Sequence, residues 1–186
     1  TVKHLAEWLP RLQNNNDQGE LYLTDVVSLA VEDGVPVGGV LAACREEVQG
    51  VNNRWQQANL ERYYQTSQAE KLTHQGVQVL DIYRLDIRCH QLDIAKDVTL
   101  DVNVVLTGCV KIGSGSVIGP NVVLSDVTIG ENVTVAAFSV LEGAVIDDEA
   151  VVGPFARIRP GTEIKKYAKV GNFVELKNTQ VGVKSK

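Results

Sequence analysis

The residues best equipped for chemistry in this sequence are cations concentrated between Val151 and Lys186. Arg157, Arg159, Lys165, Lys166, Lys169, Lys177, Lys184 and Lys186 stand there against only Glu163 and Glu175, a local charge of +6 in a chain of net −5. A guanidinium grips a phosphate through two parallel N–H donors, and an ammonium adds a compact point charge. Such a segment suits a small phosphorylated anion, or else is a solvated basic face with no ligand. Asn52-Asn53 is a second candidate. An amide oxygen is a reasonable hard ligand for Mg²⁺, but one ligand makes no site, and the same pair also reads as a helix cap. Cys89 beside His90 has the composition of a nucleophile with its base, yet sequence neighbours on a strand face opposite sides. Cys44, Cys89 and Cys109 are odd in number and widely spaced, with no disulfide framework or metal-ligand pairing. They read as reduced thiols, and His4, His74 and His90 as structural or incidental.

These groups need a scaffold, and the scaffold is a repeat. From Ile94 an aliphatic residue recurs at almost every sixth position: Ile94, Leu100, Leu106, Ile112, Ile118, Leu124, then Ile129, Val135, Leu141, then Ile146, Val152, Ile158, Ile164, Val170, Leu176, then Val181. Five-residue steps leave from Leu124, Leu141 and Leu176. These positions are whole coils apart if three six-residue sides make one coil, so the shortened steps share one edge of a prism. Four residues after each rung stands a small or β-branched residue, from Val98 and Val104 through Thr128 and Val145 to Val174. In the six-residue steps that follower lies two before the next rung, so strand alternation turns both side chains inward. Gly113, Gly119, Gly130, Gly153, Gly171 and Gly182 follow rungs directly, at corners where a positive φ is useful. The sixteen rungs predict about five coils of a parallel β-helix of hexapeptide repeats.

The first ninety residues lack this period. Val2 to Leu12 reads as a helix disturbed at Pro10, and residues 14–19 as a turn. Thr24 or Asp25 is expected to cap a second helix ending at Glu32, and Val35 to Ala43 reads as a strand. Arg54 to His74 contains neither Gly nor Pro, and Gly76 is a plausible terminator, giving a helix of about 30 Å. Its apolar positions, Trp55, Leu60, Tyr63, Tyr64 and Leu72, form a loose stripe suited to a rigid connector. No apolar run reaches the ~20 residues of a membrane span, no secretory signal opens the chain, and the acidic balance argues against nucleic-acid binding. The start at Thr1 and the absence of Met suggest a piece of something longer.

Asn15-Asn16-Asp17-Gln18-Gly19-Glu20-Leu21-Tyr22-Leu23-Thr24-Asp25 and Glu47-Val48-Gln49-Gly50-Val51-Asn52-Asn53-Arg54 resemble the end of a uridyltransferase domain. Leu60-Glu61-Arg62 and Gln68-Ala69-Glu70-Lys71-Leu72 resemble its connecting helix. Gly153-Pro154-Phe155-Ala156-Arg157-Ile158-Arg159-Pro160-Gly161 and Val170-Gly171-Asn172-Phe173-Val174-Glu175 resemble the β-helix that follows. The family is the bacterial bifunctional N-acetylglucosamine-1-phosphate uridyltransferase/glucosamine-1-phosphate acetyltransferase, GlmU.

The resemblance implies a left-handed parallel β-helix over 77–186, a connector helix over 54–76, and an α/β remnant of a nucleotidyltransferase domain over 1–53. It implies a cytoplasmic homotrimer acting on small sugar phosphates, with neither nucleic acid nor membrane as partner. Acetyl transfer from acetyl-CoA to glucosamine-1-phosphate precedes uridyl transfer from UTP with Mg²⁺, giving UDP-N-acetylglucosamine for peptidoglycan and lipopolysaccharide. Arg159 and Lys177 match positions that bind the sugar phosphate, and Asn52 matches one that contacts the sugar nucleotide and Mg²⁺. The family's Gly-rich phosphate loop is absent, its histidine base is expected just beyond Lys186, and Ile82 stands where proline is usual. The 186-residue chain is therefore expected to be inactive alone. Other readings are a β-helix serving only as a trimerisation scaffold, or a glucose-1-phosphate-type nucleotidyltransferase with a regulatory β-helix.

Overall fold

The computed structural model describes residues 2–186, which divide into two compact units, one ending at Gln49 and one beginning at Gly50. The first holds α1 (Val2–Trp8), α2 (Val26–Glu32) and three short 3₁₀ turns, one of which carries the chain through Pro10. Its pin is Trp8, buried, whose indole N–H donates to Asp33 at 2.7 Å. Arg11 binds the same carboxylate and, with that indole, holds Asp33 below the usual carboxylate range. The expected turn is closed by Asn16, whose Oδ1 accepts from the N–H groups of Gln18 and Glu20. Neither Thr24 nor Asp25 caps α2 through its side chain. The strand expected over Val35 to Ala43 does not form. An extended segment needs a neighbour for its ladder, and here none pairs with it, leaving Val40 96% and Leu41 97% exposed.

In the second unit, α3 (Arg54–His74) has the expected bounds because both ends are satisfied. Asn53 Oδ1 accepts from the Gln56 N–H at 2.9 Å. At the far end, the N–H of Val77 returns to Leu72 O and that of Gly76 to Thr73 O, a Schellman closure with Gly76 at φ +91°. The face α3 buries is Gln65, Ala69 and Leu72; Trp55, Tyr63 and Tyr64 are exposed. Among the described residues, no helix is long and apolar enough to cross a membrane.

The rest is a β-helix of parallel strands, opening with β1 (Gln78–Val79), β2 (Leu85–Ile94), β3 (Thr99–Leu100) and β4 (Val104–Ile112). Three columns of rungs stack in register. Val79, Leu100, Ile118, Val135, Val152 and Val170 form one. Ile87, Leu106, Leu124, Leu141, Ile158 and Leu176 form the second, and Ile94, Ile112, Ile129, Ile146, Ile164 and Val181 the third. There are thus six coils, one more than the repeat suggests. Val79 and Ile87 escape the hexapeptide count because a turn and a bulge lengthen the first coil. Asp81 holds that turn, accepting from the Tyr83 N–H and from Arg84 Nε, while Ile82 packs against the core.

Every rung from Ile94 to Val170 is buried, and Leu176 and Val181 are half-buried. The follower series holds in the six-residue steps and fails in two five-residue ones. There Val127 and Ala144 point inward, and Thr128 and Val145 are exposed. Inward alternation is counted back two from the next rung, so a shortened step moves the inward residue one place earlier.

Among the glycines that follow rungs φ is positive only at Gly153; Gly113, Gly119 and Gly130 answer to space instead, and Gly171 has nothing near it. A Cβ at Gly113 would lie 2.6 Å from the Gly130 carbonyl of the next coil. The left-handed corner positions come later and carry mainly Asn, Asp and Gly.

The first coil leaves a strand edge that α3 covers. Gln65, 2% exposed, donates through Nε2 to Ile87 O at 3.0 Å and accepts from the Ile87 N–H at 2.7 Å. Its amide replaces the peptide a further coil would supply. Gln65→Ala should lower stability by about 1–3 kcal/mol, because it strands a buried N–H and C=O. Urea unfolding checks this, and an unchanged midpoint would show that the edge needs no cap.

Candidate functional site

Arg159 and Lys177 each occupy the place directly after a rung on successive coils, since Ile158 pairs with Leu176. The Arg159 N–H donates to Leu176 O at 2.8 Å, fixing the two side chains one coil step apart, roughly 4.8 Å, on the outer face. The structure therefore brings these two residues together. Glu142 and Glu175 flank them in crossed pairs: Arg157 Nη2 to Glu142 Oε2 at 2.6 Å, and Arg159 Nη1 to Glu175 Oε1 at 3.0 Å. Both pairs are well exposed and are worth only about 0–1 kcal/mol each. Arg159 keeps donors to spare, and Lys177 has no ion-pair partner among the described residues. A dianionic oxyanion can meet both cations at small cost to the Glu175 contact.

The basic stretch is less basic than its sequence suggests. Besides Arg157 and Arg159, Lys165 pairs with Glu163 at 2.8 Å and Asp147 at 3.6 Å, and Lys166 pairs with Asp148 at 3.4 Å. The carboxylates 142, 147 and 148 precede the basic segment in sequence, but coil stacking brings them beneath it. A window count along the chain misses them because neighbours here lie 15 to 18 residues apart.

Asn52 is exposed, and its N–H donates to Gln56 Oε1 at 2.7 Å. The cap of α3 is Asn53. No group of three or more His, Cys, Asp and Glu side chains suited to a metal ion occurs among the described residues. A lone exposed amide does not by itself complete a Mg²⁺ site, which usually draws on carboxylates, phosphates and water.

Neither histidine of the second unit, His74 or His90, stands near Arg159. His4 stacks on Trp8, His74 ends α3, and His90 lies on the first coil. Four coil steps separate that coil from the fifth, roughly 20 Å along the axis. The arrangement can hold an anion, but the second unit offers no imidazole beside it. One pairing was not visible in the sequence: His90 meets Cys109 of the next coil, at 2.9 Å, rather than its neighbour Cys89.

Residues 93–126 match the bacterial transferase hexapeptide (six repeats) family. Fold and repeat together define a hexapeptide β-helix of the bacterial transferase class. Over all 186 residues the chain is 48% identical to "Bifunctional protein GlmU" of Marinobacter nauticus, covering 41% of that protein. It is 50% identical over 182 residues to the protein of that name from Alkalilimnicola ehrlichii, covering 98% of this chain and 39% of that one. With Acinetobacter baumannii the identity is 44% over 182 residues, covering 98% of this chain and 40% of the relative. The chain belongs to the GlmU family and spans about two fifths of the length of these relatives.

The electrostatics of the stacked coils carry a pH signature. Asp148 accepts the Glu131 N–H at 2.9 Å and faces Lys166, and these contacts hold its carboxyl below the usual range. A carboxyl whose folded pKa is depressed contributes stability above its unfolded pKa, and that contribution is lost as pH falls through the folded value. Asp148→Asn should flatten the loss of stability below about pH 4. Parallel acid titrations of both proteins by circular dichroism check it, and identical curves would remove Asp148 from the account.

Proposed function

We propose that the β-helix belongs to the acetyltransferase part of a bifunctional enzyme of UDP-N-acetylglucosamine synthesis, and that Arg159 and Lys177 receive the phosphate of glucosamine-1-phosphate. The observation that carries this reading is the pairing of the two cations in register on successive coils. It is supported by family membership over the whole chain. In the whole protein, acetyl-CoA supplies the acetyl group, and UTP with Mg²⁺ supplies the uridyl group. Residues 1–53 then close the uridyltransferase domain, 54–76 connect, and 77–186 begin the acetyltransferase domain. The assembly is a homotrimer of the cytoplasm, and its product feeds peptidoglycan and lipopolysaccharide synthesis. Asn52 is assigned to sugar-nucleotide contact.

Within this chain, Arg159 orients the phosphate through paired N–H donors and Lys177 neutralises its second charge. Deprotonation of the attacking amine needs a base, typically contributing ~10²–10⁴-fold, and neither His74 nor His90 stands at this site to provide one. The 186-residue chain binds weakly and turns over neither substrate set.

Calorimetric titration of glucosamine-1-phosphate into the chain tests the site. Arg159→Ala and Lys177→Ala should each weaken binding by about tenfold, the scale of one charged hydrogen bond. Binding that is unchanged in both variants would overturn the assignment. Turnover in either assay at the rate of the full-length enzyme would overturn the silence.

A further inference from the structure

Cys109 and His90 play no part in the phosphate site, yet their placement is specific. β2 bulges where Cys89 pairs with Gly108 and Gln91 with Cys109, so His90 is the extra residue and leaves the ladder. The bulge lets its ring reach the next coil, where Nε2 lies 2.9 Å from Cys109 Sγ. The third coil fixes the backbone of Cys109 from the other side. Asp126 Oδ1 accepts the Cys109 N–H at 2.9 Å, and Gly108 leaves room for that carboxylate, which a Cβ would strike. Three successive coils thus hold one thiol–imidazole contact. Both side chains are exposed, and a cleft of about 220 Å³ opens beside the sulfur between Gln91, Val127 and the Lys111–Asp93 pair.

We propose that Cys109 is a modification site, a nucleophilic thiol served by His90 as base, that exchanges with small disulfides. The imidazole Nε2 takes the thiol proton as Sγ attacks one sulfur of R–S–S–R. The Cys109–S–S–R bond forms as the R–S–S–R bond breaks. The departing thiolate then takes the proton from the imidazolium and leaves as RSH. Cys109 is oxidised to the mixed disulfide and one half of the reagent is reduced, so no other oxidant is needed. The open cleft admits the R group.

Cys89 is the natural comparison. It sits half-buried beside Cys109 and Asp126, and burial first, then those two neighbours, push its thiol up to about 11. The groups facing Cys109 are His90, Gln91, Asp126 and Cys89. Of these only the imidazole can accept its proton and then offset the thiolate charge.

The test uses the 186-residue chain and dithiobisnitrobenzoate, with released thiol followed optically and labelled peptides identified by mass. At pH 7, Cys109 should be labelled first, at least about tenfold faster than free glutathione, a modest yield for a positioned base. His90→Gln should return Cys109 to the free-thiol rate at pH 7 and match wild type near pH 10, where ordinary thiols ionise unaided. Both residues are exposed, and circular dichroism verifies that the variant keeps its β-helix. First labelling at Cys89 or Cys44 would overturn the proposal, as would a Cys109 rate equal to that of glutathione. A slowing that persists at pH 10 would mean access rather than proton removal, and would remove His90 from its role.

Discussion

The width of the prism governs everything else in the β-helix. Each side of a coil admits one large aliphatic and one small residue, and the coil above repeats the slot. Backbone N–H groups of one coil donate to carbonyls of the next, as from Val117 to Val133 and from Gly119 to Val135. Register and face are therefore locked together, because a slip of one residue would turn every rung to solvent. Small polar residues enter only where a partner exists. Ser116 Oγ donates to Gly130 O and accepts from the Val133 N–H, and Ser139 accepts from Ala156. Thr162 is the exception, its hydroxyl buried without a partner.

The corners meet the same constraint in another way. A chain that turns so tightly places one residue per corner in the left-handed region, which costs a side-chain-bearing residue about 1–2 kcal/mol. Asn and Asp reduce that cost with local hydrogen bonds, and Asn103 donates to Asn121 along one corner. Farther along the same corner stand Phe138, Phe155 and Phe173, exposed and at φ between 55° and 58°. Their rings stack at 5.1 Å between successive centroids. Each stack is worth about 0.5–1.5 kcal/mol, which offsets much of the backbone cost. The ladder explains how phenylalanine is tolerated where asparagine would be easier.

Much of this was legible from residue types alone, and the failures share one cause. The hexapeptide rungs, the edge of the shortened steps and the bounds of α3 all follow from short-range spacing. The first coil falls outside the hexapeptide period because Val79 and Ile87 are spaced eight and seven residues from their successors. Thr128 and Val145 fit the series by count, but they fall in shortened steps, where the next rung decides which residue points inward. The strand expected over Val35 to Ala43 rests on propensity, which says nothing about a missing partner. The Cys109–His90 contact and the carboxylates under Lys165 and Lys166 required knowing which coil lies above which. Sequence patterns report period readily; they report cross-coil neighbours only once the period is converted into a stack.

That stack also decides which sites influence one another. In a solenoid each repeat touches only its neighbours, so stability and geometry propagate by adjacent contacts. Gln65 and the His90–Cys109 contact lie at the first and second coils, whereas Arg159 and Lys177 lie at the fifth and sixth. Substitutions that far apart share no partner and should add rather than couple. The crossed pairs Arg157–Glu142 and Arg159–Glu175 span only the fourth to sixth coils, so they set the phosphate site locally. The same stacking that makes the interior monotonous makes the exterior modular, with each outward column free to carry its own chemistry.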